Sequence, residues 1–394
     1  MIKTPQFTVL FYIGAMILFG LLFGRLVKQL RFPNVTGYLL SGLILGPHVL
    51  GFYPLELIDK STMISEIALG FIAFTIGCEF KRSFLKKVGM TPVVIAIFES
   101  MVAVILVDTI LIATGHDIAF SLMLGAIAAA TAPAATVMII KQYKAHGPVT
   151  DVLMSVVALD DAVALIAFAV SFAIAKGMNG NGNMNIMEAI LSPIIEIFLA
   201  LLIGAVFGVI IWFLMRYFKK QSNRLLISVS AIFISSALSS YFGLSSLLTC
   251  MMCGMVLCNI SSDSDGVVSV LDTCTPPIYV LFFVVSGAGL NISLIPQIGL
   301  VGLIYVFARV AGKLFGAFIG AKIMKADKKV SRYLGPALIP QAGVAIGLTI
   351  LAKTAVPQYY EQIRTVILCS TMIYELVGPI LSKSALKHAG EIQC

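Results

Sequence analysis

The stretch Thr131-Ala132-Pro133-Ala134-Ala135-Thr136 interrupts one long apolar run, and Pro340-Gln341-Ala342-Gly343-Val344 interrupts another 207 residues further on (340 minus 133). Proline removes a backbone donor and clashes with the carbonyl four residues before it, so each run is expected to break into two half-helices with freed carbonyls. In hydrocarbon such groups survive only where protein or a cavity satisfies them. Working outward, Gly70 to Gly77 resembles Leu281 to Gly287 at an offset of 210 (287 minus 77). The stretch Gly42 to Pro47 likewise corresponds to the one around Gly254. Two ordinary proline kinks would be the plainer explanation, but their equivalent positions favour an internal repeat. The fold class expected is an all-α polytopic membrane protein of about thirteen transmembrane helices, built from two inverted six-helix repeats with crossed broken helices.

Composition agrees with that class. Of 394 residues, 59% are apolar and 12% charged, and the mean hydropathy is +1.01. Soluble domains carry roughly 25% charged residues, so a soluble enzyme or nucleic-acid-binding module is excluded despite the net charge of +8. No basic start with a small-residue cleavage site precedes the first apolar run, which is therefore expected to be kept as a span. The seven cysteines are odd in number. Cys250 and Cys253 have CxxC spacing without a second pair nearby, so they read as small apolar residues.

Dividing the chain at charged and Gly/Pro-rich breaks gives thirteen spans, roughly 7–27, 34–51, 62–80, 90–114, 119–141, 148–175, 188–216, 223–241, 244–259, 273–291, 294–321, 333–352 and 360–382. Alternate connections hold twenty Lys and Arg, among them Arg25, Lys28, Arg31, Lys86 and Lys87. The opposite side holds five, Lys3, Lys60, Lys176, Lys353 and Arg364. That bias puts the N-terminus outside and the C-terminus in the cytoplasm of a cell-membrane protein. The loop with Asp263, Asp265 and Asp272 is the exception, and acids count little in this rule.

Ionisable residues deep inside spans are few: Arg309, Lys313, Glu99, Asp108, Asp160, Asp161, Glu196 and Glu375. A carboxylate near the bilayer centre costs about 2.5–3.5 kcal/mol, so the adjacent pair Asp160-Asp161 costs about 5–7 kcal/mol before pairing. Interhelical hydrogen bonding by protonated acids is the bland account of that pair. Adjacent helical residues point about 100° apart, so one carboxylate can face a neighbouring helix while the other faces a cavity. Lys313 is the natural partner of the first. Arg309, one turn earlier, stays charged at any accessible pH and is assigned a structural ion pair with Glu99. The broken-helix crossing comprises Ala132, Pro133, Thr136, Pro340, Gln341 and Gly343, with Thr131 adding a hydroxyl oxygen. Oxygen ligands with carboxylates suit a hard cation and couple its binding to protons. No cofactor is implied.

This combination resembles the bacterial sodium/proton antiporters of the NhaA and NapA type. The motifs Gly37-Tyr38-Leu39-Leu40-Ser41-Gly42, Leu159-Asp160-Asp161 and Arg309 to Lys313 bring it nearer to the monovalent cation:proton antiporter-2 family, with NapA-like and Kef-like members. The resemblance implies that Asp161 is the main Na+ carboxylate, that Asp160 pairs with Lys313 and shares the ion, and that Thr131 lies at the crossing. It also implies a homodimer in membrane lipid, with no nucleic-acid partner. Residues 1–80 and 223–291 would be dimer scaffold, 90–175 and 294–386 the ion-carrying core, and 188–216 the link. Ala132 stands where NhaA-type chains carry an acid, a departure that bears on selectivity and pH sensing.

The activity implied is electrogenic exchange of Na+ or Li+ for H+ by alternating access, with no enzymatic chemistry. Exchange of K+ for H+ in the Kef-like manner is the alternative, less favoured because no regulatory domain is seen after the last span. An intramembrane aspartyl protease would need a Gly-x-Gly-Asp motif, and a prenyl-diphosphate enzyme an acid at Ala164.

Overall fold

The computed structural model describes residues 5–30, 32–82, 89–178, 186–261, 264–292, 296, 298–341 and 343–392. Lys3, Arg31, Lys86, Lys87, Asp263 and Ala342 lie outside the described residues. All regular structure among the described residues is helical. The helices are α1 (Pro5–Gln29), α2 (Asn34–Leu45), α3 (Leu55–Lys60), α4 (Thr62–Glu79), α5 (Thr91–Ala113), α6 (Ile118–Ala128), α7 (Pro133–Tyr143) and α8 (Pro148–Met178). They continue as α9 (Ile186–Tyr217), α10 (Gln221–Tyr241), α11 (Ser246–Ile260), α12 (Ser264–Gly289), α13 (Gly299–Ile323), α14 (Lys328–Ala337), α15 (Gly343–Ala355) and α16 (Tyr360–His388). Among the described residues ten helices are long and apolar enough to cross a membrane, and three shorter apolar helices accompany them. The chain is thus a multi-pass membrane protein.

Boundaries differ from the hydropathy division at α12 and α14. α12 begins at Ser264 and not near 273, and it continues through Pro276 and Pro277. α14 begins at Lys328 and not near 333, and its run divides into the half-helices α14 and α15 as the interruption at Pro340 predicts. At both starts polarity marks where lipid ends, whereas a helix ends where its backbone hydrogen bonds do.

The chain divides into two compact units, one formed by Met1–Lys87 with Ile195–Leu290 and the other by Val88–Ile194 with Asn291–Cys394. In the first, glycines make the repeat visible. A Cβ on Gly77 of α4 would strike the Met251 carbonyl of α11, and one on Gly254 of α11 the Phe74 carbonyl of α4. The same exchange joins α2 and α12: Gly42 meets the Val284 carbonyl and Gly287 the Leu39 carbonyl. Close approach of small residues is how helices associate where lipid supplies no hydrophobic drive. Gly77 corresponds to Gly287 and Gly42 to Gly254, so each contact is the other's copy.

In the second unit α5 packs against α13. Gly312, Gly316 and Gly320, one turn apart on α13, lie against Ala103, Glu99 and Ile95 of α5. The stripe brings the two backbones together and sets their register. α8 runs behind α5 and α6. Its first turn is capped from afar, since Val149 N and Thr150 N donate to the Glu391 carboxylate at 2.7 Å each. An acid at that end complements the helix dipole.

Candidate functional site

Both interruptions form real gaps. α6 stops at Ala128 and α7 starts at Pro133 after extended backbone at Ala132 (φ −99°, ψ 108°). α14 stops at Ala337 and α15 starts at Gly343. The two segments touch where Ala132 N donates to the Pro340 carbonyl at 2.9 Å, so the broken helices cross here. Pro133 opens α7, where its missing donor costs nothing. Gly343 opens α15.

Each break leaves carbonyls at a half-helix C-terminus, where the dipole is negative. Arg309 answers three of them: Nε donates to Ala128 O at 3.0 Å, Nη2 to Ala130 O at 2.8 Å and Nη1 to Ile339 O at 2.8 Å. Its guanidinium also lies 4.5 Å from the centre of the Tyr374 ring. The Gln341 amide donates to Ile127 O at 2.9 Å and meets Tyr305 Oη. One arginine therefore ties the ends of α6 and α14 together with a planar fork that a lysine lacks.

Lys313 sits one turn further along α13 and is fully buried. Its ammonium is 2.8 Å from Glu99 Oε2 and 3.2 Å from Asp160 Oδ2. It also donates to Thr131 Oγ1 at 2.7 Å and to Ala129 O at 2.5 Å. Ser100 Oγ donates to Asp160 Oδ1 at 2.5 Å. The ion pair expected between Arg309 and Glu99 does not form, and the register of α13 explains why. Glu99 lies against Gly316, three residues from Lys313 but seven from Arg309, about 10 Å along the axis. Glu99 therefore serves the lysine while the arginine serves the backbone.

Asp161 is 3% exposed, and neither carboxylate oxygen has a hydrogen-bond partner among the described residues. Thr136 Oγ1, on the first turn of α7, is likewise buried without one. An ionised carboxylate held unpaired in low dielectric is costly by several kcal/mol. A proton or a hard cation would relieve that cost. The donor set near the crossing, carboxylate, hydroxyl and carbonyl oxygen, suits an alkali ion. The structure thus brings together Asp160, Lys313 and Thr131, joins Ala132 to Pro340, and adds Glu99 to the lysine and Ser100 to Asp160. Glu99-Ser100 is a polar pair in an apolar span, as Asp160-Asp161 is, and that likeness was the available signal. Tyr374 carries none, because its role depends on a helix packed from far along the chain.

The family model described as "Sodium/hydrogen exchanger, transmembrane" matches residues 14–387. The ammonium/H(+) antiporter subunit AmhT of Alkalihalophilus pseudofirmus is 24% identical over 393 residues, covering 97% of this chain and 95% of that one. The Na(+)/H(+) antiporter NhaS4 of Synechocystis is 25% identical over 348 residues, covering 82% and 83%. In fold, the sodium proton antiporter MjNhaP1 of Methanocaldococcus jannaschii superposes with a TM-score of 0.75 at 20% identity, over 98% of this chain and all of that one.

Proposed function

This chain belongs to the sodium/hydrogen exchanger family, and we propose that it is a secondary antiporter exchanging Na+ or Li+ for H+ across the cell membrane by alternating access. The observation that carries the reading is the unpartnered Asp161 carboxylate, buried in a membrane-spanning helix beside a second acid that is paired to a lysine. Asp161 holds either the cation or a proton. A cation arriving there also draws on Asp160, and Lys313 then rests on Glu99. Thr131, released as Lys313 moves to Glu99, adds a hydroxyl oxygen, and Arg309 keeps the half-helices in place while the ion comes and goes.

By analogy with the antiporters that these motifs resemble, two aspartates and a lysine in the cycle go with more than one proton per sodium and an electrogenic exchange. The helices at 90–175 and 294–386 form the moving core. Those at 1–80 and 223–291 form the scaffold of a homodimer, and 188–216 links them. The N-terminus faces out and the C-terminus lies in the cytoplasm, as the distribution of cations supports. The likeness to an ammonium/H+ antiporter makes the choice of cation worth measuring directly.

The test is proton flux in proteoliposomes on addition of Na+, Li+, K+ or NH4+. Wild-type protein dissipates a preformed pH gradient with Na+, faster when the membrane potential favours net charge movement. Asp161→Asn does not dissipate it. Sodium-driven flux retained by Asp161→Asn overturns the assignment, and flux with K+ alone replaces the cation.

A further inference from the structure

α13 has two faces with different duties. Arg309, Lys313 and the glycine stripe look inward, whereas Leu300, Phe307, Phe315 and Phe318 are exposed (72, 71, 60 and 41%) on the opposite side. That outer stripe is the face a membrane helix turns to lipid. It ends at Lys322, whose ammonium lies 4.8 Å from the centre of the Phe318 ring. The chain then turns back through Lys325, which adopts a left-handed conformation at φ 51°. Ala326 N donates to Ala321 O at 2.9 Å, closing a helix cap whose left-handed position is ordinarily glycine. A lysine there carries a backbone cost of its own and holds a cation at the turn.

Just beyond, Lys328 and Arg332 lie one turn apart on α14, and between the two helices runs a groove of about 790 Å³. Leu314, Phe315 and Phe318 form its apolar wall. Lys322, Lys325, Lys328 and Arg332 form its rim, and no acid lines it among the described residues. Asp327 is adjacent, but its carboxylate caps α14 by accepting from Lys329 N at 2.7 Å. Lys329 itself is engaged elsewhere, donating to Ala389 O at 2.8 Å.

We propose that this groove is a binding site for an anionic phospholipid, its headgroup phosphate held by Lys322, Lys325, Lys328 and Arg332 and one acyl chain lying along Leu314, Phe315 and Phe318. Four cations at the end of a lipid-facing helix, with an apolar wall leading into the membrane, match both halves of such a molecule. A soluble phosphate would use only the rim. The consequence reaches the ion site, because a bound lipid would staple α13, which bears Arg309 and Lys313, to α14, which leads into the crossing at Pro340. The inference rests on the chain spanning a membrane and not on which cation it exchanges.

The test is a titration of the purified protein in neutral detergent with phosphatidylglycerol, phosphatidylcholine or inorganic phosphate, read by native mass spectrometry and by melting temperature. Phosphatidylglycerol is expected to bind and to raise the melting temperature, and the other two are not. The variant Lys325→Gln/Lys328→Gln/Arg332→Gln should melt normally without lipid and bind phosphatidylglycerol about a hundredfold more weakly, at roughly fivefold per cation. Should that variant fail to fold, Lys325→Gln and Lys328→Gln singly read the same loss at about fivefold each. A control, Arg216→Gln/Lys219→Gln/Lys220→Gln, keeps the binding. The proposal is overturned if the groove variants bind as wild type, if the control loses as much, or if phosphatidylcholine or free phosphate stabilises equally.

Discussion

Lys313 has two carboxylate partners, so removing both should cost far more than the separate removals together. Glu99 stands at 2.8 Å and Asp160 at 3.2 Å, all three side chains being fully buried. Either Glu99→Gln or Asp160→Asn removes one charge-assisted contact, worth about 1.5–3 kcal/mol, while relieving the repulsion between the two acids, for a net cost of about 1–2 kcal/mol. Among the described residues the double variant leaves the ammonium with only Ala129 O and Thr131 Oγ1. Stranding a buried charge adds about 3–5 kcal/mol beyond the two single losses, so the coupling between the two sites should be about 3–5 kcal/mol. Equilibrium unfolding in mixed micelles titrated with dodecyl sulfate measures all four members of the cycle. Adding Lys313→Met to the double variant should restore most of the loss, because it removes the stranded charge. Additive single costs, or no recovery with Lys313→Met, would refute the shared-lysine arrangement.

Asp161→Asn should abolish exchange yet leave stability in cation-free buffer unchanged or higher, since its carboxylate has no partner to lose; thermal unfolding in detergent checks it, and a clear destabilisation contradicts it. Arg309→Lys should cost about 2–4 kcal/mol, because one ammonium cannot serve Ala128, Ala130 and Ile339 together; the same unfolding assay reads it. Gly316→Val would set a Cβ 2.5 Å from Glu99 Cα. It should push α13 off α5, lowering the melting temperature and stopping exchange, whereas valine at Gly347, which has open space around it, should do neither.

Much of the fold could be read from residues whose energetic cost in lipid is large. Pro133 and Pro340 announced the breaks, and Gly42, Gly77, Gly254 and Gly287 the repeat, because both residue types change the backbone itself. The acids of α8 were legible for the same reason. Partner choice was not. Arg309 and Lys313 are alike in sequence, both on one face of one helix, and what separates them is the register of α13 on α5, fixed by glycines that contact a helix some 200 positions away. Helix ends were also hidden where polar residues continue a helix out of the membrane, as at Ser264.

The central claim is that a cation and protons compete for one buried acidic site. Calorimetric titration of the purified protein with Na+ at a series of pH values tests it most directly, in buffers of different ionisation enthalpy so that released protons are counted. Sodium binding should release protons, should weaken up to tenfold per unit as the pH falls through the range where the site protonates, and should vanish in Asp161→Asn. Binding that is indifferent to acid, releases no protons, or survives in that variant would contradict the account.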